Sequence, residues 1–142
     1  MKEVKVDVAS TAKDFESVFA IRKKVFVVEQ NVDEREEYDE FETSCTHFIA
    51  TINDLAVGTC RFRNTDKGIK LERFAVLKNA RGKGVGEALM QTVLKHIDLN
   101  QHIYLNAQIQ VVEFYAKYGF EKEGNIFLEA NIKHYKMVYK PT

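Results

Sequence analysis

The sequence predicts a mixed α/β fold: a central, mostly antiparallel sheet of about seven strands with helices on both faces. Three observations carry this. Between His47 and Val76, three strand-like runs follow one another across turn signals, which is the pattern of a meander. An apolar run ending at Leu77 then leads through Gly82, Gly84 and Gly86 into a helical stripe and a short apolar run, Ile103-Tyr104-Leu105. Such a strand–helix–strand unit implies parallel pairing across a crossover. Helical patterns also fall before the meander and after it, so both faces of the sheet can be covered. The expected order is β-α-α-β-β-β-α-β-α-β-β over residues 1–142, read as one domain.

Taken in order, Val4, Val6 and Val8 alternate with Lys5 and Asp7, a short strand. Ser10 or Thr11 caps a helix over residues 12–28, where Phe15, Val18, Phe19, the Arg22 stem, Val25 and Phe26 fall at helical spacing. Asn31 breaks it. His47 to Ile52 alternates, Asn53-Asp54 turns the chain, and Val57 to Arg63 returns, weakened at Gly58. A second turn at residues 64–68 leads to a strand from Ile69 to Val76. Val85, Ala88, Leu89, Thr92, Val93, His96 and Ile97 form the stripe of the next helix. A further helix over residues 111–118 closes at Gly119, and two terminal strands are expected over 126–129 and 132–139.

Composition excludes several functions. Lysine plus arginine equals aspartate plus glutamate, 21 each, so charge gives no reason to expect nucleic acid. No run of about 18 apolar residues suggests a membrane span, and the expected compartment is the cytoplasm. Cys45 and Cys60 form no CxxC, and the four histidines make no ligand spacing with them. Both are therefore expected as reduced thiols in or near the core, with no metal site. Residues 33–42 hold seven acidic side chains in ten. A solvated helix or loop is the favoured reading, and a negative lip that attracts a cationic amine is the functional one.

The glycine stretch carries the strongest signal. Three alternate glycines at a strand-to-helix junction let the chain turn tightly and leave backbone N–H groups free. The following helix start adds more unpaired N–H groups and the positive end of its dipole. That is a site for phosphate or pyrophosphate, with Arg81 and Lys83 adding charge. A plain glycine turn with solvated basic residues fits less well. The dinucleotide pattern fails because Glu87 stands where a third glycine is needed, and the P-loop fails because Gly84 follows Gly82-Lys83.

What fits is Ala75-Val76 followed by Arg81-Gly82-x-Gly84-x-Gly86, which closely resembles the acetyl-coenzyme A motif of the GNAT N-acetyltransferase superfamily. Phe114-Tyr115-x-x-Tyr118-Gly119-Phe120 resembles a second signature of that superfamily. Ile21-Arg22-x-x-Val25-Phe26-Val27-x-Glu29-Gln30, Asn106-Ala107-Gln108 and His134-x-x-Met137 look like its ElaA-like branch. The resemblance covers nearly the whole chain and implies a single-domain GNAT-like fold. It implies that pantetheine lies against Phe74, Ala75 and Val76, and that residues Gly82, Lys83, Gly84, Val85, Gly86 and Glu87 supply N–H groups to the pyrophosphate. Gln108 stands where many relatives carry asparagine that bonds the cofactor.

The implied activity is direct transfer of acetyl from acetyl-CoA to a primary amine of a small molecule or peptide. An N–H near Val76 would bond the thioester oxygen. Tyr115 matches the superfamily's proton donor to the leaving thiolate. Glu72, taken to share a strand face with Phe74, is one candidate base; His134 and Glu29 are others. His47 and His96 read as core-edge or surface residues, and Cys60 as core rather than an acetyl carrier. A non-catalytic acyl-CoA-binding or regulatory domain is the alternative, which an intact Tyr115 argues against. Homodimer formation is left open.

Overall fold

The computed structural model describes residues 3–37 and 44–141. Tyr38 and Phe41, and with them the second half of the acidic stretch, lie outside the described residues. Seven strands form one sheet: β1 (Val4–Val8), β2 (Thr46–Ile52), β3 (Leu55–Thr65), β4 (Gly68–Val76), β5 (Ile103–Gln108), β6 (Phe120–Glu129) and β7 (Ile132–Tyr139). Their spatial order is β1-β2-β3-β4-β5-β7-β6. Every neighbouring pair is antiparallel except β4 and β5, as the crossover requires.

Helix α1 (Ala12–Arg22) starts at Thr11, whose hydroxyl accepts from the Asp14 N–H at 3.1 Å. Asp14 returns the bond to the Thr11 N–H, closing a capping box. The helix does not stop at Arg22. It loosens into a π-helix, Lys23–Glu29, and ends near Asn31 at φ 59°. A short helix α2 (Glu34–Glu37) follows. Helix α3 (Val85–His96) and the five-residue α4 (Val112–Ala116) complete the set. The last helix is shorter than the expected 111–118, because a 3-10 turn, Ile109–Val111, takes its first residue and the helix already ends at Ala116, ahead of Gly119. Gly119 closes this region at φ 95°, as predicted. The sixth strand begins at Phe120, earlier than its alternation suggested, because an irregularity between Glu123 and Phe127 interrupts the pattern.

Strand parity divides the core. Phe48, Ala50 and Ile52 pack with Val85, Leu89, Met90 and Val93 of α3. Ile49, on the opposite face of β2, packs with Val18 of α1. Each fully buried aliphatic side chain of this kind contributes about 1.5–3 kcal/mol relative to exposure. Gly58, which weakens β3 locally, has a structural reason. A Cβ there would stand 2.6 Å from Cγ1 of Val85, so α3 comes down onto the sheet at this point.

One bulge sets the geometry of β4. Thr59 pairs with Ala75 and Arg61 with Glu72, so Cys60 is opposed by two residues, Arg73 and Phe74. Arg73 takes φ 59°, a left-handed conformation uncommon for arginine. The extra residue reverses strand parity. Leu71 and Phe74 therefore both pack on the α3 side, while Ala75 meets Ile21 and Val25 on the α1 side.

Candidate active site

The parallel seam between β4 and β5 is short. Ile69 pairs with Ile103, Lys70 with Tyr104, and Leu71 with Leu105; beyond Leu71 the strands pair no further. Since β4 runs on to Val76 and β5 to Gln108, the sheet opens into a V. A cavity of about 690 Å³ occupies it. Phe74, Ala75 and Val76 line one arm, Asn106 and Gln108 the other. The π-helix closes one face with Val25, Phe26 and Glu29, and α4 closes the other with Tyr115. An open V leaves strand edges without a neighbour, and an extended ligand can take up those backbone groups.

The glycine loop lies at the open end of the β4 arm. Gly82 has φ 79° and Gly84 φ 83°, and a Cβ at either would meet nothing within 4 Å. The loop is thus a cradle of backbone with space in front of it. Gly84 caps α3, and the helix's first internal bond runs from the Ala88 N–H to the Gly84 carbonyl at 3.0 Å. The N–H groups of Val85, Gly86 and Glu87 stand ahead of it at the positive end of the helix dipole. Gly86 faces Phe114, whose Cζ would be 3.3 Å from an added Cβ. These residues fit an anion such as a pyrophosphate.

Arg81 does not project into the cradle as a free charge, as its position in the motif suggested. Its two terminal nitrogens donate to Glu29 at 2.6 and 2.7 Å, and its Nε donates to the Val76 carbonyl at 3.0 Å. The guanidinium holds the Glu29 carboxyl below the usual carboxylate range. Lys83 remains exposed beside the loop.

Tyr115 is 8% exposed, with Phe74, Phe114 and Phe120 around its ring. Burial first, and Cys60 second, push its phenol well above the ordinary value of 10. It stays protonated across the physiological range and is available as a donor. Cys60 is buried at 1% exposure, and burial pushes its thiol up as well. It is a protonated core thiol.

Glu72 lines the cavity, yet the bulge turns it away from the face of Phe74, correcting the expectation that the two share one. Its carboxylate accepts from Arg61 Nε at 2.7 Å and from Arg61 Nη2, and lies 3.2 Å from both Arg63 and Lys70. Burial raises its pKa, but Arg61, Lys70 and Arg63 together outweigh burial and hold it low. A carboxylate so held is a poor proton acceptor. Its position is that of an ion-pair hub tying β3 to β4.

His134 on β7 is 6% exposed and stacks on Phe127. Its Nδ1–H donates to the Ile132 carbonyl at 2.7 Å, which leaves the lone pair on Nε2, 3.6 Å from Glu129 Oε2. This tautomer is assigned from its partners. Gln108 lies opposite His134 in the ladder. Its amide donates to Gln30 Oε1 at 2.9 Å and accepts from Gln110 at 2.7 Å, so its hydrogen-bonding capacity is largely taken. His47 is buried against Phe15 and Phe19, and exposed His96 bonds the Thr92 carbonyl; neither lines the cavity. Sequence reasoning missed Glu129, which no local pattern marks, and the cation set around Glu72. It noted Gln30 only within a motif.

A sheet opened between two parallel strands, beside a backbone cradle for an anion, suits an extended ligand that carries a phosphate group. The chain belongs to the GNAT acetyltransferase family: the model of the Acetyltransferase (GNAT) domain matches residues 6–141. It is 38% identical over 141 residues to YjcF of Bacillus subtilis strain 168, an N-acetyltransferase described as uncharacterized, covering 95% of this chain and 99% of that protein. It is 29% identical over 128 residues to ElaA of Escherichia coli K12, covering 85% and 84%. The crystal structure of Escherichia coli ElaA superposes with a TM-score of 0.82 at 25% identity, over 99% of this chain and 100% of that one. That of an acyl-CoA N-acyltransferase from Pseudomonas aeruginosa gives 0.83 at 24%, over 97% and 99%. Among the described residues, no helix is long and apolar enough to cross a membrane, and no group of three His, Cys, Asp or Glu could hold a metal ion.

Proposed function

We propose that this protein transfers an acetyl group from acetyl-CoA directly to a primary amine. The observation that carries this reading is the V between β4 and β5, opening from Leu71 toward the glycine cradle. In this reading the N–H groups of Gly82 to Glu87 hold the pyrophosphate. The backbone of Phe74, Ala75 and Val76 holds the pantetheine as an added strand would be held. Acetyl-CoA supplies an acyl group activated as a thioester.

The chain's own residues divide the proton work between two sides of the cleft. Tyr115, on the α4 side, donates from its phenol to the leaving sulfur; a positioned donor of this kind is worth about 10²–10⁴-fold. The aromatic rings around it exclude water. His134, on the π-helix side, accepts the amine's proton at Nε2, and Glu129 beside it stabilises the imidazolium. Glu72 keeps its charge and holds the strands.

The test is steady-state release of free thiol from acetyl-CoA with small polyamines, amino sugars and peptide N-termini as acceptors. Turnover of at least one amine, with the acetylated product found by mass, is expected. A protein that binds acetyl-CoA but releases no thiol above hydrolysis with any of them would instead be a binding domain.

A further inference from the structure

Two consecutive residues at the end of the π-helix each hold a different arm of the cleft. Glu29 makes a two-pronged ion pair with Arg81, which in turn holds the Val76 carbonyl at the tip of the β4 arm. Gln30 exchanges amide hydrogen bonds with Gln108, the last residue of the β5 arm, at 2.9 and 3.4 Å. The contacts run Val76–Arg81–Glu29–Gln30–Gln108 and cross the mouth of the V where the strands are farthest from pairing with each other. The π-helix makes this possible. Its wider turns run to the Gln30 N–H, which bonds the Val25 carbonyl, and the Val32 N–H then bonds the Phe26 carbonyl.

We propose that Glu29 and Gln30 form a strap that sets the width of the cofactor cleft, and that Arg81 is the strap's anchor rather than a phosphate ligand. The inference rests on the reading of the cleft as a coenzyme A site. Its geometry distinguishes it from simple charge attraction. An arginine poised for phosphate would be weakened by a carboxylate held 2.6 Å away, whereas a strap needs that carboxylate. All four side chains are positioning residues, acting on the cofactor through the spacing of the two arms.

The experiment is calorimetric titration of free coenzyme A into the wild type, Glu29→Gln, Arg81→Met, the double variant and Gln30→Ala, with the Tm of each. If the strap sets the width, Glu29→Gln weakens coenzyme A by about five- to tenfold, in the range usual for coupled sites. Arg81→Met does the same, and the double variant is no worse than either single one, because one linkage has been cut once. Gln30→Ala weakens binding from the other arm. If Arg81 is a phosphate ligand, Glu29→Gln frees it and tightens binding, which overturns the strap. Variants that lose Tm but bind coenzyme A as the wild type does overturn it too, leaving only a structural pair. A folded wild type that does not bind coenzyme A sinks the reading of the site itself.

Discussion

The ring of Tyr115 stands edge-on to that of Phe74, with centroids 5.7 Å apart and planes at 76°. The contact joins α4 to the residue that the β4 bulge re-aims. Tyr115→Phe keeps this packing and removes only the proton. It should lower kcat by about 10²–10⁴-fold while leaving the coenzyme A Kd nearly unchanged. Rapid-quench turnover at saturating acetyl-CoA and amine measures the first, and calorimetry the second. Wild-type kcat would move the donor role to water or another group.

Gly84 combines a φ of 83° with open space where a side chain would go. Gly84→Val places a branched side chain in the anion cradle and forces a left-handed conformation that costs about 1–2 kcal/mol. We expect coenzyme A binding to fall below detection in a protein whose circular dichroism is still native. Unchanged affinity in that folded variant would mean that the cradle holds no phosphate.

Glu72 ties Arg61, Arg63 and Lys70 together with its side chain 8% exposed. Glu72→Gln removes the buried negative charge that Arg61, Arg63 and Lys70 share and should cost about 3–5 kcal/mol of stability. The sign with pH follows from the lowered pKa. The contribution is fully present above the ordinary glutamate value of 4.5 and is lost as pH falls below it toward the folded-state value. Denaturant titrations of wild type and variant should therefore differ most at neutral pH and converge in acid. A constant gap across that window would contradict the ion-pair account.

Cys60 carries its proton and lies in the core. A thiol in that state is a weak nucleophile. Cys60→Ala should retain most of the wild-type kcat, and mass spectrometry of the enzyme quenched during turnover should show no acetylated cysteine. An acetyl group trapped at this position would replace direct transfer with a two-step route.

Much of this fold is legible because its signals are local. Alternation in residues 47–76 marks the meander, and Gly119 marks a left-handed stop that few other residues tolerate. The cradle is legible for the same reason: three glycines and a helix start lie within a few residues. What is not legible depends on partners far away in sequence. Nothing in Arg73 announces a positive φ, so simple alternation puts Glu72 on the face of Phe74, whereas the bulge places the two on opposite faces. The hydrophobic pattern of residues 12–28 fits one long helix, and the change to π winding beyond Arg22 is not visible in it. Arg81 reads locally as a free cation, because its partner Glu29 stands 52 positions away.

The seam of β4 and β5 comprises three residue pairs, whereas β2 meets β3 and β3 meets β4 along much longer ladders. Mechanically, the sheet is two stiff plates, β1–β4 and β5–β7–β6, on a narrow joint. Each hydrogen bond in that joint is worth only about 0.5–1.5 kcal/mol net, so bending concentrates there rather than inside either plate. The same short pairing that makes room for a ligand therefore makes the molecule compliant along one line, and a ligand bridging both plates stiffens it.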